Sequence, residues 1–212
     1  MAQVKQGPLG KVSGKIGNIS FSSWKEKTVV KERPSKSKKP ASKKQQEQRL
    51  KMAKANQFMR TIKEVVTLGY RDLTVKMTGY NASVRNLLKN AVVGEYPDYS
   101  IDYSLVQICR GEIRQIFKPV ASSAKTDTVT FTWTTSSGVG KSRPGDKAIL
   151  VAYCEAMKVS AYTIEGPPRS AGTADLEMPG FSGQTVHTWV AFISEDGSDV
   201  SDSVYAGKLT IA

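Results

Sequence analysis

The chain has 212 residues, of which 39% are hydrophobic and 24% are charged, and its formal net charge is +12. This length and composition are typical of one large or two small folded domains and exclude global disorder. No apolar run approaches the roughly 20 residues needed to cross a bilayer, so we predict no membrane span.

The positive charge is concentrated at the N-terminal end. Residues 1–63 hold seventeen Lys and Arg against three Glu, whereas residues 119–212 hold seven basic against ten acidic residues. Such a field attracts a polyanion, most commonly nucleic acid and next an anionic membrane or an acidic protein. The alternative is a solvated basic tail without a partner, because charge runs also keep segments soluble.

Residues 1–44 are predicted to form a basic Gly- and Lys-rich arm with a hairpin and a linker. Four glycines precede or interrupt two β-favouring runs, residues 16–24 and 28–31, which indicates the hairpin. Lys alternates with Val, Ile and Phe there, which predicts one cationic and one apolar face. Two strands alone are marginal in water, so the apolar face needs a partner surface. Residues 34–44 carry Pro, Ser and Lys without a large apolar side chain and are typical of a linker.

Residues 45–118 are predicted to hold two helices and a short β-hairpin. The first helix is expected to begin at a Ser42 cap and to reach about Leu68, because apolar residues repeat on one face. Gly69 supplies its stop.

A second helix is expected over residues 82–93, with Asn81 as its cap and Gly94 as its end. The alternating apolar residues that follow predict strands, and Arg110-Gly111 is expected to be their hairpin turn.

Residues 119–212 are predicted to form an immunoglobulin-like or fibronectin-like antiparallel β-sandwich. Strand-like runs are separated there by turn clusters at the spacing of about 8–12 residues that such sandwiches show. Trp133 and Trp189 fall on separate strands and are expected to anchor the two sheets to each other. The predicted fold class is therefore α+β and mainly β, with a basic N-terminal arm and two helices before the sandwich.

Three patterns are compatible with chemistry, and each has a structural interpretation. Residues 138–142 match the second half of a phosphate-binding loop, but Thr135 stands where glycine is required and Pro144 follows in place of a helix. His187, the only histidine, lies in a strand pattern without the spacing of a triad, and we expect it to face solvent or a hydrogen-bond partner. The acidic residues within 195–202 could clasp calcium, but they do not match the twelve-residue calcium loop. We predict no catalytic residue, no metal site and no cofactor.

The two cysteines, Cys109 and Cys154, each sit in an apolar run without a partner at metal-ligand spacing. A disulfide framework is therefore not expected. We predict two buried thiols, and a single bridge stays open as the alternative.

The candidate binding residues are the cations of the arm and of the first helix. Lysines bind nucleic acid by displacing counterions from phosphates, and aromatic side chains such as Phe21 and Trp24 can stack on bases or form an interface. The alternative weighs about equally: the aromatic residues belong to a core and the lysines are solvated. No sequence-specific DNA-binding motif is present, so non-specific binding is expected. The predicted polyanion-binding residues are Lys11, Lys15, Lys25, Lys27, Lys31, Arg33, Lys36, Lys38, Lys39, Lys43, Lys44, Arg49, Lys51 and Lys54.

Several stretches of the chain resemble a family of small basic bacterial proteins known only as a domain of unknown function. The most specific is residues 80–113, which begins Tyr-Asn-Ala-Ser and includes Tyr-Pro-Asp-Tyr-Ser. The resemblance implies a shared architecture of basic arm, helices and β-sandwich, and it brings no catalytic residue. The other stretches are residues 10–18, 29–34, 39–49 and 200–211.

These observations favour a non-enzymatic structural or assembly protein. We expect a homo-oligomer or a component of a phage-like or other multi-subunit particle, whose basic arm contacts nucleic acid or neighbouring subunits. The alternative is a cytosolic accessory protein that binds nucleic acid non-specifically, and a hydrolase using carboxylates of the sandwich loops is a third hypothesis. Lysines interrupt the first 19 residues, which predicts no secretory signal and a location in the cytoplasm or in the particle.

Overall fold

The structure is a computed structural model that describes residues 2–4, 13–24, 27–33, 40–73, 77–135 and 140–212. The chain divides into two units, Met1–Ser42 and Lys43–Ala212. The predicted two-helix region and the predicted sandwich therefore lie within the same unit.

The first unit contains a four-stranded antiparallel sheet in the order β1-β4-β3-β2. The predicted hairpin is confirmed as the pair β3 and β4, but the run predicted over residues 16–24 is two strands rather than one. Gly17 has a φ of +55°, which lets the chain turn between these two strands. The strands are β1 (Ala2–Val4), β2 (Gly14–Ile16), β3 (Ile19–Trp24) and β4 (Lys27–Glu32).

The register of this sheet separates an apolar face from a cationic one. Ile16 pairs with Ile19, and Phe21 pairs with Val30 on the same face, whereas Lys15 belongs to the opposite face. Ile16 is 68% and Ile19 is 45% exposed, and none of the described side chains of this unit is fully buried. Within the first unit, no described side chain covers this apolar face.

The second unit begins with three helices and a small hairpin and continues with seven strands. The first group is α1 (Lys43–Met59), α2 (Lys63–Gly69), α3 (Gly79–Asn90), β5 (Val92–Glu95) and β6 (Asp98–Ile101). The second group is β7 (Val120–Ser122), β8 (Thr128–Thr132), β9 (Lys147–Cys154), β10 (Val159–Thr163), β11 (Thr173–Glu177), β12 (Thr185–Ile193) and β13 (Val204–Thr210).

The helix predicted to reach Leu68 is interrupted, because the chain turns after Met59. The Thr61 hydroxyl donates to the Phe58 carbonyl at 2.7 Å and lies 2.6 Å from the Ser160 hydroxyl of β10. Ile62 leaves the helical conformation and is fully buried. Burial of Ile62 and the contact with β10 thus override the continuous helical pattern.

The second helix starts earlier than predicted, because its cap is Thr78. The Thr78 hydroxyl accepts a hydrogen bond from the backbone N–H of Asn81 at 3.2 Å, so the prediction of Asn81 as the cap was wrong. The helix also ends earlier, since Val92 already pairs with Ile101 in the hairpin of β5 and β6.

Arg110-Gly111 is not a hairpin turn, because this segment packs against the segment after β12. The Gly111 N–H donates to the Asp202 carboxylate at 3.1 Å, and Ile113 forms a bridge with Ser201. A Cβ atom on Gly111 would lie 2.1 Å from the Val200 carbonyl oxygen.

Gly111→Ala is therefore expected to lower the free energy of unfolding by about 2 kcal/mol, since backbone atoms must move to admit the methyl group. Gly197→Ala is the control, because Gly197 has open space around it and only the cost of its φ of +70°. Urea denaturation of both variants measures the difference. An equal or smaller loss for Gly111→Ala would contradict the predicted clash.

The seven strands form an antiparallel β-sandwich whose larger sheet is covered on both faces. One sheet has the order β10-β9-β12-β13 and the other has the order β11-β8-β7. Alternate residues of the larger sheet, such as Leu150 and Phe192, enter the core between the sheets. The intervening residues of the same strands, such as Val151 and Trp189, point to the opposite face and pack against the helices in a second core. The larger sheet is thus the middle of three layers.

This layering corrects the prediction for the two tryptophans. Trp133 lies between the sheets, with its ring 5.6 Å from that of Phe192. Trp189 instead faces the helices and packs 5.7 Å from the Phe58 ring of α1. Trp189 therefore joins the helical layer to the sandwich rather than one sheet to the other.

Both cysteines are buried free thiols, which confirms the prediction. Cys109 belongs to the core beneath the helices and Cys154 to the core between the sheets. Burial raises the pKa of the Cys109 thiol to about 12, so this thiol stays protonated and unreactive.

Candidate nucleic-acid interface

The first twelve residues of α1 form a basic helical surface and contribute no buried side chain. They carry Lys43, Lys44, Arg49, Lys51 and Lys54 against a single carboxylate, Glu47. The buried residues of α1 begin only at Ala55. This part of the helix therefore presents five of the predicted binding cations at the surface.

The hairpin of β5 and β6 supports this basic part of α1. The Tyr96 hydroxyl donates to the Gln46 side-chain carbonyl at 3.0 Å. The Lys51 ammonium lies 4.7 Å from the Tyr99 ring centroid, and the Lys43 ammonium lies 5.8 Å from that of Tyr96. These cation–π contacts hold the two ammonium groups beside the aromatic rings, and the ammonium protons that point away from the rings stay free to donate to a ligand.

Three further cations lie on or beside α3, and the sequence analysis missed them as site residues. Arg85 and Lys89 are exposed on α3, and Arg110 is exposed on the loop after β6. The spacing of Asn81, Arg85 and Lys89 at every fourth residue is the signal that could have identified a polar outer stripe. No acidic residue occurs in α3. The basic surface thus continues from α1 to α3.

These cations are available for a ligand, because no described carboxylate lies within ion-pair distance of any of the eight. Two lysines of the second unit are paired instead: Lys125 lies 2.7 Å from Asp175, and Lys141 lies 2.6 Å from Glu112. The eight cations are Lys43, Lys44, Arg49, Lys51, Lys54, Arg85, Lys89 and Arg110.

Within the first unit, Lys15, Lys31 and Arg33 are exposed. Lys15 and Lys31 flank Ser20 on the cationic face of the sheet, whereas Phe21 belongs to the apolar face. Phe21 is thus separated by the sheet from these lysines.

The remaining predicted residues of the first unit are described in part or not at all. Trp24 and Lys27 are register partners at the ends of β3 and β4, and only their backbone is described. The others lie outside the described residues: Lys11, Lys25, Lys36, Lys38 and Lys39.

His187 is held by aromatic neighbours in the helix-facing core. Its Nδ1 lies 2.8 Å from the Tyr205 hydroxyl, and its ring centroid lies 4.2 Å from that of Tyr103. Burial and the nearby Lys208 lower the pKa of His187. Of the two expected environments, solvent or a hydrogen-bond partner, His187 has the second, and the partner is Tyr205.

The acidic turn after β12 uses its carboxylates in local contacts. Hydrogen bonds from Ser194 and Ser198 lower the pKa of Asp196 to about 2, and Asp199 lies 3.3 Å from the Lys141 ammonium. Among the described residues, no group of three or more His, Cys, Asp and Glu side chains is arranged to hold a metal ion. Each of these two carboxylates has a protein partner.

Residues 138 and 139 of the predicted half of a phosphate-binding loop lie outside the described residues, and the described residues that follow lead to a buried ion pair. Arg169 and Asp146 have side chains only 2% and 1% exposed, with 3.3 Å between Nε and Oδ2. The Arg169 guanidinium also donates to the Arg114 carbonyl at 2.9 Å and stacks 3.9 Å from the Phe192 ring. Asp146 accepts from the Arg143 N–H at 2.8 Å, and β9 begins directly after it, at Lys147. This pair ties residues 143–146 to the core.

The fold and the basic surface define a β-sandwich protein with a cationic helical layer. The chain belongs to the family of unknown function DUF6266, whose model matches residues 10–207. None of the curated proteins compared with the chain matches it. Among solved structures, it is similar to the fn3 domain of human collagen alpha-1(XX) chain, at 14% identity over 47% of this chain and 86% of that chain, with a TM-score of 0.36. No helix within the described residues is long and apolar enough to cross a membrane.

Proposed function

We propose that the chain is a non-enzymatic structural protein of a phage-like or other multi-subunit particle that binds nucleic acid non-specifically through its basic helical layer. The proposal includes a location in the particle or in the cytoplasm. The observation that carries it is the set of eight cations on α1, α3 and the Arg110 loop, which no described carboxylate pairs.

Unpaired surface cations favour a polyanionic ligand for a physical reason. A lysine already paired with a carboxylate must lose that partner before it can contact a phosphate, whereas an unpaired lysine gains a partner and releases counterions from the nucleic acid. A helix that carries cations on several sides presents no unique pattern to base edges. Contacts to the phosphate backbone, independent of sequence, follow from this arrangement.

The N-terminal sheet supports the assembly part of the proposal. Its exposed apolar pair, Ile16 and Ile19, lies on a face that no described residue of the same unit covers. Exposed apolar surface of this kind is typical of protein contact sites. We propose that another copy of the chain covers this face.

The sandwich supports a role as a compact module within such a particle. We include an immunoglobulin-like or fibronectin-like arrangement in the proposal, because seven antiparallel strands are divided four and three between the two sheets.

A second candidate is an accessory protein that binds nucleic acid and does not assemble. The observation that favours it is the second unit, whose middle sheet is buried on both faces within one chain. This unit needs no second copy to complete its cores.

Mass photometry of the full chain, with and without a random-sequence DNA duplex, tests the two candidates. For the particle protein we expect discrete assemblies that Ile16→Ser with Ile19→Ser reduces to monomers while DNA binding is retained, because the change removes apolar contact area and no charge. Met157→Ser with Val159→Ser is the matched control, since these residues are 44% and 45% exposed on the sandwich.

Each outcome decides between the candidates. Monomers of the parent chain that bind DNA would establish the accessory protein and contradict the assembly role. Monomers indifferent to DNA would contradict both.

A further inference from the structure

A recess beside α3 gathers three of the unpaired cations around one space. Its volume is about 410 Å³, and Arg85, Lys89 and Arg110 line it together with Tyr70 and Asn86. No carboxylate lines this space among the described residues. We call it the α3 recess. Its size falls within the range of about 300–1,000 Å³ of small-molecule sites in proteins.

Hydrogen bonds fix the polar part of the α3 recess. The Tyr70 hydroxyl donates to the Gln107 carbonyl at 2.9 Å and accepts from the Asn86 amide at 2.8 Å. The same Asn86 amide reaches the Gln107 side chain at 3.2 Å, and Asn90 donates to the Asn86 side-chain oxygen. These bonds hold the recess in one shape before any ligand enters, which reduces the entropy cost of binding.

The backbone also fixes the position of Arg110. Its N–H donates to the Gly69 carbonyl at 2.9 Å, and the neighbouring N–H of Gly111 donates to Asp202. The Asp202 carboxylate is thereby engaged by the backbone rather than by Arg110. The guanidinium of Arg110 stays exposed beside the two cations of α3.

The other part of the α3 recess is apolar. Leu73, Met77 and Ala82 line it, and Leu73 is 44% exposed. A ligand that fills the whole space therefore carries a strongly anionic end and a flat or apolar end. Three cations match the double negative charge of a phosphate better than the single charge of a carboxylate, and arginine offers paired donors that suit phosphate oxygens.

We propose that the α3 recess binds a nucleoside phosphate, with the phosphate between Arg85, Lys89 and Arg110 and the base against Leu73 and Met77. The phosphate group belongs either to a free nucleotide or to a nucleotide of a single strand. For a nucleotide of a single strand, the inference rests on the proposed function. For a free nucleotide, it is independent of the proposed function.

Calorimetric titration of the full chain with adenosine monophosphate, adenosine and a 5′-phosphorylated single-stranded oligonucleotide tests this site. We expect adenosine monophosphate to bind at least about tenfold more tightly than adenosine, because adenosine lacks the charged group. Arg110→Gln is expected to weaken binding of the nucleotide at least about tenfold, since one charge-assisted contact is lost. Arg60→Gln is the matched control, because Arg60 is an exposed arginine directly after α1 and outside the recess, and it should change the affinity less than about twofold.

The outcomes separate this inference from the proposed function. Detectable binding of adenosine and its monophosphate with equal affinity, no binding of either the nucleotide or the oligonucleotide, or an Arg110→Gln variant with unchanged affinity would overturn the α3 recess as a nucleotide site. Duplex DNA binding by α1 would not be affected by these outcomes. Nucleotide binding that depends on Arg110 in a chain that does not bind duplex DNA would support the recess and overturn the proposed function. Binding of the oligonucleotide but not of the free nucleotide, lost in Arg110→Gln, would assign the recess to single strands.

Discussion

Arg169→Met is expected to lower the free energy of unfolding by about 3–5 kcal/mol, because it leaves Asp146 as a buried charge without its partner. The Asp146 side chain is 1% exposed and cannot recover its lost ion pair from water. The change also removes the guanidinium from the Phe192 ring and the hydrogen bond to the Arg114 carbonyl. Guanidinium chloride denaturation followed by tryptophan fluorescence measures the loss.

Two further variants show whether the loss comes from the stranded charge. Arg169→Met combined with Asp146→Asn should recover part of the stability, since no unpaired carboxylate remains. Lys125→Met is the matched control, because it breaks a shorter ion pair with Asp175 that is exposed, and it should cost less than about 1 kcal/mol. If Arg169→Met and Lys125→Met cost the same, the buried pair does not hold residues 143–146 to the core.

Replacing Lys43, Lys44, Lys51 and Lys54 by glutamine is expected to weaken duplex DNA binding at least about a hundredfold at 0.1 M salt. Each lysine that contacts a phosphate releases counterions, so the loss of four should also reduce the slope of log affinity against log salt by about 3–4. Fluorescence anisotropy with a labelled duplex at several salt concentrations gives both quantities. Three of these lysines are exposed and Lys51 is half-buried, and all four precede the buried part of α1, so the fold is retained.

The control removes the same charge from the sandwich. Lys125, Lys141, Lys158 and Lys208 are exposed, and two of them are paired with carboxylates. Their replacement by glutamine lowers the net charge equally but should change affinity less than about fivefold, because only the general field is reduced. Equal losses in the two variants would show that net charge, rather than the surface of α1, attracts the DNA.

The basic character of α1 could be predicted from the sequence, because the charge of a segment follows from its residue types and does not depend on tertiary contacts. Five of the eight unpaired cations were predicted on this basis. Arg85 and Lys89 were not, because they belong to a segment whose net charge is almost neutral. Their exposure and their convergence with Arg110 depend on how α3 packs against the segment at Tyr70.

At the helix boundaries, tertiary packing overrides the local pattern of apolar residues. The apolar repeat around Ile62 continues through the interruption between α1 and α2, so periodicity alone predicted one helix. The turn there exists because Thr61 meets Ser160, which is 99 residues further along the chain. A contact between residues so far apart in the chain cannot be predicted from the local sequence pattern.

The sequence by itself determined the strand content of residues 119–212, the burial of both cysteines, the hairpin of β3 and β4 and the basic N-terminal half. These follow from alternation, turn residues and composition, which act within a few residues of chain. Only the tertiary structure decided that the larger sheet is the middle of three layers, with Trp189 against Phe58 rather than in the sandwich core. Strand periodicity divides residues between two faces, but what covers each face depends on contacts between distant segments.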